Sequence, residues 1–292
     1  MKSLPDALLK TNLSLPLVYR GKVRDTYELS PNELLMVATD RISAFDFSLP
    51  CGVPGKGEVV SRLSAFWFSA TSHIIPNHLI RLVDHDHSFP EYIWRRSMVV
   101  RKAKRIPVEC IVRGYLFGSA LLEYQRSGKA GGVSLPEGLV KGQKLPVPIF
   151  TPTTKEEKHD RPLEVEELVE MVGNEVALVL EEKSVELYLF AAGEVRRQGI
   201  TLADTKFEFG YDGEHEIMLI DELLTPDSSR FWVGEGYGGR SLDKQPFRDF
   251  LSSLGWEGGT PPPFIPQEVI QETSRRYQEA YQKLCGGKNG SY

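Results

Sequence analysis

With 292 residues, the chain is about twice the usual domain size, enough for one large or two medium domains around an ample core. An apolar fraction of 41% and a charged fraction of 26% are those of an ordinary soluble globular protein, and a net charge of −5 excludes a nucleic-acid or anionic-membrane partner held by bulk electrostatics. The stretch MKSLPDALLKTNLSLPLVYRG lacks an uninterrupted apolar segment, no long apolar run occurs elsewhere, and Cys51, Cys110 and Cys285 are odd in number and far apart, so a cytoplasmic chain with core or incidental thiols is expected.

No internal repeat is visible, and the N-terminal third reads as short strands with turn residues between them: LVYRGKVRDTYEL, ELLMVATD and SMVVRKAKRIPVECIVRGYL. One helix is predicted around EVVSRLSAFWFSATSHII. In the first strand pair Gly21 lets backbone approach a ligand, and Lys22 and Arg24 on one strand face make either a phosphate clamp or an exposed basic edge. Asp40, Arg41, Ser43 and Asp46 follow an apolar strand as a cleft lining or as ordinary turn chemistry. The basic run from Arg95 to Arg105 reads as a solvated strand edge before it reads as a binding site. In PVECIVRGYLFGSA, Arg113 leaves a strand and Gly118-Ser119 stands where a helix begins. A guanidinium, a hydroxyl and helix N-terminal N–H groups can there converge on one anion. Neither GxxxxGK[ST] nor GxGxxG occurs, so neither a P-loop nor a Rossmann nucleotide site is supported.

The segment SGKAGGVSLPEGLVKGQKLPVPIFTPTTKEEKHDRP is rich in Gly, Pro and Lys with little periodicity and predicts a long loop or bridge between two lobes; His159 and Asp160 within it read as loop residues. A helical period runs from Glu164 to Gln198, broken near Gly173-Asn174. In LADTKFEFG the strand period of two puts Asp204, Lys206 and Glu208 on one face and Phe207 and Phe209 on the other, with a turn at Asp212-Gly213 and a return strand EIMLID. A two-residue turn sets Asp221 opposite Asp204 and on the face of Glu208. Facing like charges need a cation between them, and a divalent metal with oxygen ligands and substrate phosphates is the economical choice. That register does not bring Glu208 directly opposite Asp221, so a longer loop, a bulge or a diagonally bridging metal is required.

After the glycine-rich VGEGYGGRS, Lys244 and Arg248 stand one helical turn apart, either gripping a dicarboxylate or forming a solvated helix face. A final helix is predicted from Pro266 to Leu284, ended by Gly286, and the histidines show no metal spacing such as HExxH. Strands first and mixed elements later predict an α+β protein of two lobes with a cleft, divided as 1–112 and 113–292.

The blocks RGKVRDTYEL, TDRISAFD, VECIVRGYLFGS, LPVPIFTPTTK with HD beyond it, LADTKFEFG and IDELLTPDSSRFW span almost the whole chain in this order. They resemble the SAICAR synthetases, purine-pathway enzymes that join L-aspartate to a carboxyaminoimidazole ribonucleotide using ATP and magnesium. The resemblance implies antiparallel sheets with helices in two lobes and ATP in the central cleft, an architecture related to ATP-grasp proteins and small-molecule kinases. It implies that Lys22 and Arg24 lie beside the ATP phosphates with Gly21 permitting the approach, that Lys155 reaches the nucleotide, and that the stretch from Arg101 to Glu109 faces the adenine. Glu208 and Asp221 are implied as the carboxylates that hold Mg2+.

On the other substrate's side, Arg113, Ser119 and Arg230 are implied for the ribonucleotide 5′-phosphate, Lys206 and Asp204 for the carboxylate and amino group of the imidazole, and Asp227 for the sugar or ring. Ser43 is implied as a further substrate residue, and Lys244 and Arg248 as the pair that holds the aspartate carboxylates. The resemblance identifies no general base for the amine, and Asp40 in TDRISAFD is one candidate. The partners implied are small molecules alone, for a monomer or a homodimer. Two other readings compete: a small-molecule kinase that phosphorylates a hydroxyl in the same cleft, and a nucleotide-binding regulatory module without turnover. A kinase needs no site for a second, amine substrate, so the Lys244/Arg248 pair favours the ligase, and the carboxylate set disfavours the inert module.

Overall fold

The computed structural model describes residues 6–45, 47–155, 161–213, 215–256, 258–259 and 261–285, and Asp46, His159, Asp160 and Gly286 lie outside them. The N-terminal part comprises β1 (Leu17–Arg20), β2 (Arg24–Ser30), β3 (Glu33–Ala38), the small hairpin β4 (Arg41–Ala44) and β5 (Phe47–Gly52), helix α1 (Lys56–Ala70), β6 (Leu79–Val83) and β7 (Ser97–Arg101). Five of these strands form an antiparallel sheet in the order β1-β2-β3-β7-β6. The run ELLMVA is apolar at successive positions because β3 is covered on both faces. Leu35 and Val37 pack with Tyr27, Val83 and Ile93 on one side, and Met36 packs with Met98 and α1 on the other.

The chain continues through β8 (Lys104–Tyr115), α2 (Ser119–Ser127), the short pair β9 (Lys129–Ala130) and β10 (Val133–Ser134), β11 (Lys144–Phe150), β12 (Thr153–Thr154), α3 (Val165–Val172) and α4 (Asn174–Arg196). It ends with β13 (Ile200–Tyr211), β14 (Ile217–Ile220), β15 (Ser229–Val233), α5 (Gln245–Ser253) and α6 (Gln267–Cys285). The second sheet runs β11-β8-β13-β14, with β12 beside β8 and β15 beside β13. One apolar cluster continues from Met36 and Met98 through α1 and the inner face of the second sheet to Tyr277 and Leu284. Phe207 and Phe209 are fully buried in it, as their side of the alternating strand requires, each worth about 2–3 kcal/mol of burial. Gly114 leaves room where α4 crosses β8: a Cβ there would lie 1.9 Å from the Tyr188 hydroxyl, which donates to the Leu202 carbonyl.

Three sequence expectations change. The bridge segment contains β11, an edge strand in which Pro146 and Pro148 donate nothing to the ladder, so its pairing with β8 jumps from Lys144 to Ile149. The hairpin is not closed by a two-residue turn. Glu208 pairs with Ile220 and Tyr211 with Ile217, leaving residues 212–216 as the loop, so Asp221 emerges just past β14 while Asp204 faces Arg113 on β8 and Arg230 on β15. The division expected between 112 and 113 falls inside β8, whose ladder to β13 runs through both residues. The helix break at Gly173, with φ 84°, is as expected. No helix among the described residues is long and apolar enough to cross a membrane.

Candidate active site

Strand β13 carries the charges. Its register with β8 sets Arg113 directly opposite Asp204 and Glu109 directly opposite Glu208. Two facing carboxylates destabilise a sheet unless a cation lies between them, and two lysines do. Lys206 Nζ lies 2.6 Å from Glu109 Oε1 and 3.1 Å from Glu208 Oε1; Lys155 Nζ lies 2.5 and 2.6 Å from the same two oxygens. Lys155 is aimed by β12, which pairs Thr153 with Glu109 and Thr154 with Val108. Burial opposes every charge in this quartet, yet Lys206 and Lys155 hold Glu208 well below the usual carboxylate range. Reciprocally, Glu208 and Glu109 outweigh burial and keep both ammonium groups above theirs. Glu109, expected on the adenine-facing connector, thus turns its side chain into the carboxylate cluster.

Beside the quartet, Asp221 adopts φ 71°, a conformation that costs a side-chain-bearing residue energy and so needs support from its surroundings. Its Oδ2 accepts from Arg24 Nη2 at 2.6 Å, and Glu222 Oε1 stands 3.5 Å from the same nitrogen. Burial, with Glu208 and Glu222 adding to it against Arg24, pushes Asp221 up to about 6. Arg24 is itself buried, but Asp221, Glu222 and Glu208 hold its guanidinium charged, and its Nη1 is enclosed with no hydrogen-bond partner among the described residues. Gly21 and Lys22 sit in the turn between β1 and β2 rather than on a strand face: the Gly21 N–H donates to the Arg24 carbonyl at 2.8 Å. Arg41 braces that turn by donating to the carbonyls of Gly21 and Lys22.

Glu208, Asp221 and Glu222 supply only oxygen donors, and burial first, with Glu208 and Glu222 adding to it, raises Asp221 despite Arg24. That donor set fits a hard divalent cation. Among the described residues no three acidic, histidine or cysteine side chains form a metal cage, so a cation here would complete its shell with phosphate oxygens and water.

A second cluster lies at the other end of the same face. Arg113 donates from Nε to Thr151 Oγ1 at 2.9 Å, from Nη1 to Asp204 Oδ2 at 3.2 Å and from Nη2 to Ser119 Oγ at 3.1 Å. Arg230 donates to the same Asp204 oxygen and lies over the Phe117 ring, and its Nε is buried with no hydrogen-bond partner among the described residues. Gly118, with φ 62°, admits this packing, since a Cβ would lie 2.9 Å from Arg230 Nη2. Burial lowers the Arg113 pKa, and Arg230 lowers it further against the pull of Asp204. The two guanidiniums therefore share one carboxylate and leave a positive excess. A cavity of about 410 Å³ opens beside Arg113, Ser119 and Thr151 and reaches Glu123 and Arg126. Arg126, two helical turns beyond Ser119, is a cavity residue that only the i+7 spacing on one face of α2 marks in the sequence.

The third cluster joins four separated elements. Lys244 caps the N-terminus of α5, and the Arg248 N–H donates to its carbonyl at 3.1 Å. Phe247 and Leu251 of α5 are anchored among Ile42 and Ala44 of β4. Lys244 Nζ stands 3.9 Å from Asp227 Oδ1, while Lys56 pairs with Asp227 Oδ2 at 2.5 Å and the Tyr277 hydroxyl donates to Oδ1 at 2.5 Å. Asp227 is buried with both oxygens engaged by protein, so the sugar or ring contact expected of it would have to displace Lys56 or Tyr277. Burial, then Arg248 and Lys56 against Asp227, pushes Lys244 down to about 8. Ser43 is half-buried on β4 opposite Ser48 and is not among the hydrogen-bonded groups of these clusters. Asp40 does not suit a base. It is fully buried, accepts from the N–H groups of Leu8 and Gly57, and lies 3.1 Å from Arg96 Nη1, so it caps α1. Lys56 and Tyr277 gave no sequence signal beyond one: a lysine opening a helix runs against the helix dipole and calls for a carboxylate partner.

Fold and clusters together define an α+β protein built on two large antiparallel sheets that carries three clusters of ion-paired side chains. The family model for SAICAR synthetase matches residues 17–263, and the chain belongs to that family. It is 46% identical over 97% of its length to a phosphoribosylaminoimidazole-succinocarboxamide synthase of Stenotrophomonas maltophilia (strain K279a), of which it covers 98%. Identity to the enzyme of that name from Thermodesulfovibrio yellowstonii is 47%, covering 96% of this chain and 99% of the relative. Among solved structures, SAICAR synthase from Saccharomyces cerevisiae complexed with SAICAR superimposes with a TM-score of 0.85 at 41% identity, covering 98% of this chain and 100% of that one. A Type-2 SAICAR synthetase in complex with ADP gives a TM-score of 0.69 at 26% identity, covering 92% and 97%.

Proposed function

We propose that the chain is an ATP-dependent carbon–nitrogen ligase. It joins 5-amino-1-(5-phosphoribosyl)imidazole-4-carboxylate to L-aspartate in cytoplasmic de novo purine biosynthesis, giving SAICAR, ADP and phosphate. The observation that carries the reading is the alternation on β13: one strand delivers Asp204 to the guanidinium pocket and Lys206 and Glu208 to the lysine–carboxylate quartet. A phosphoribosyl carboxylate anchored at one cluster therefore presents its reacting group to the other. Relatives named for this reaction, one complexed with SAICAR and one with ADP, support it.

A carboxylate does not acylate an amine, because its oxygen is a poor leaving group. Transfer of the γ-phosphoryl of ATP onto that oxygen makes a mixed anhydride, and attack by the aspartate amine then forms the amide, expels phosphate and releases a proton. Alignment and charge neutralisation dominate such transfers. Arg24, with an unsatisfied buried N–H, and the turn at Gly21 and Lys22 take the ATP phosphates. Lys155 and Lys206 leave Glu109 and Glu208 for incoming phosphate and carboxylate oxygens. Arg113, Ser119 and Arg230 fix the 5′-phosphate. Lys244 and Arg248, both poor in partners and lowered by burial, bind the aspartate carboxylates and point the amine inward. Glu208 and Asp221, with Glu222 beside them, would hold Mg2+, which when bound neutralises phosphate charge.

The test is phosphate release from ATP with the ribonucleotide, measured with and without aspartate. Release coupled to amide formation and dependent on aspartate is expected. A rate indifferent to aspartate, with a stable phosphorylated ribonucleotide as product, would make the protein a kinase.

A further inference from the structure

Asp227 has three cationic or hydroxyl neighbours and two oxygens, and the allocation is uneven. Lys56 and Tyr277 each sit at 2.5 Å, whereas Lys244 is left at 3.9 Å, outside the range of an N–H···O hydrogen bond. The other carboxylate near Lys244, that of Glu222, is also engaged, accepting from Thr225 Oγ1 at 2.6 Å and facing Arg24. The allocation is built into the packing. Lys56 is buried at the first turn of α1, where the helix dipole disfavours a cation, so Asp227 is what permits it there. Helix α6 locks this corner. Ser274 Oγ donates to the Pro54 carbonyl at 2.7 Å, Gly55 turns at φ 78° where a Cβ would lie 2.8 Å from Gln278, and Tyr277 projects from between these two contacts, fully buried.

We propose that Tyr277 and Lys56 are positioning residues for the second substrate: by claiming both oxygens of Asp227 they keep the Lys244 ammonium uncommitted and available to a substrate carboxylate. The inference rests on the reading of Lys244 as an aspartate ligand. A lysine in a close internal ion pair must break that pair before it binds, and the cost appears directly as lost affinity. A lysine held at 3.9 Å is oriented by Asp227 but keeps its donors for the ligand.

Tyr277→Phe is the clean test, because it removes only the hydroxyl that occupies the oxygen facing Lys244. Lys244 then closes on Oδ1. Two changes are expected together in the full chain: an aspartate KM raised about tenfold with the ATP and ribonucleotide KM values unchanged, and a Lys244 Nζ titration, followed by 15N NMR without substrates, that moves upward from about 8. General loosening of the fold would not raise that titration while weakening aspartate alone. Lys56→Gln, which exchanges the charge on the other oxygen for a neutral donor, should shift both readouts in the same direction. An unchanged Lys244 titration in both variants overturns the inference, as does an unchanged aspartate KM in both while Lys244→Met raises it. If Lys244→Met leaves aspartate saturation unaltered, the ligand assignment of Lys244 fails instead, and the NMR titration still decides whether Tyr277 and Lys56 govern Lys244.

Discussion

Lys206 is partly buried and Lys244 buried in one protein, and burial alone would lower both. Lys206 is raised well above its ordinary value, while Lys244 is lowered to about 8. The difference lies in what their carboxylates are doing. Lys206 has Glu109 and Glu208 within 3.1 Å, and among the described residues both are hydrogen-bonded through their side chains by lysine alone. Lys244 has Asp227 in view, but that carboxylate is spent on Lys56 and Tyr277. The quartet is therefore internally balanced until incoming oxygens draw its lysines away, whereas the α5 corner keeps a cation in want of an anion.

The comparison is broken most severely on the balanced side. Asp221→Asn removes one charge from the oxygen set that would hold Mg2+. Turnover is expected to fall about 10³-fold at saturating substrates, with circular dichroism unchanged; normal rates at low magnesium would make Asp221 structural. Lys206→Met leaves Glu109 facing Glu208 with Lys155 alone between them. It should cost about 3–5 kcal/mol of stability and about 10²-fold in kcat, read from denaturant unfolding and steady-state kinetics. A stable, active variant would mean that Lys155 suffices to balance the pair.

Arg113 lies between the two cases, since Asp204 is shared by two guanidiniums. Arg113→Ala should raise the ribonucleotide KM roughly 10- to 100-fold with the ATP KM little changed; equal losses for both substrates would indicate a collapsed cleft.

How much of this was legible beforehand follows from the range of each interaction. The period of two in LADTKFEFG placed Asp204, Lys206 and Glu208 on one face, because side-chain alternation does not depend on which strand lies alongside. The partners did depend on it. Asp212-Gly213 suggested a tight turn, but the loop spans 212–216, and the register that set Glu109 against Glu208 comes from β8, roughly a hundred positions earlier, with no local mark. Two prolines hid the edge strand β11 in what read as a loop. The Lys56–Asp227–Tyr277 contacts join α1, the segment before β15 and α6, and only the helix-opening lysine hinted at them. The resemblance implied the ligands; which carboxylate each cation holds required the fold.

On the uncommitted side, Lys244→Met should raise the aspartate KM about tenfold and also change how stability varies with pH. Its ordinary value near 10.5 falls to about 8 in the folded chain, so the folded state penalises the charge. That penalty is present in full below about pH 8 and is relieved between about 8 and 10.5, where the unfolded chain still holds the proton and the folded one does not. Parent stability therefore rises with pH across this window relative to Lys244→Met, by up to about 3 kcal/mol. Urea melts of both proteins at pH 7.5 and 10 test it, and a constant difference would show that Lys244 is as well paired as Lys206.

The smallest effect separates position from charge in the guanidinium pocket. Thr151 follows β11, and its hydroxyl accepts from Arg113 Nε, the nitrogen of that side chain not directed at Asp204 or Ser119. Thr151→Val keeps the branched shape and both arginine charges but leaves that buried N–H without its acceptor, a loss of about 1–2 kcal/mol. If the pocket worked by net charge alone, the ribonucleotide KM would not move, since no charge has changed. If it works because Thr151, Asp204 and Ser119 fix the guanidinium plane from three sides, the ribonucleotide KM should rise about fivefold, with the aspartate KM unaltered because Lys244 lies in a separate cluster. Initial rates with each substrate varied in turn distinguish the outcomes, and an equal rise for aspartate would mean that the two clusters move as one body.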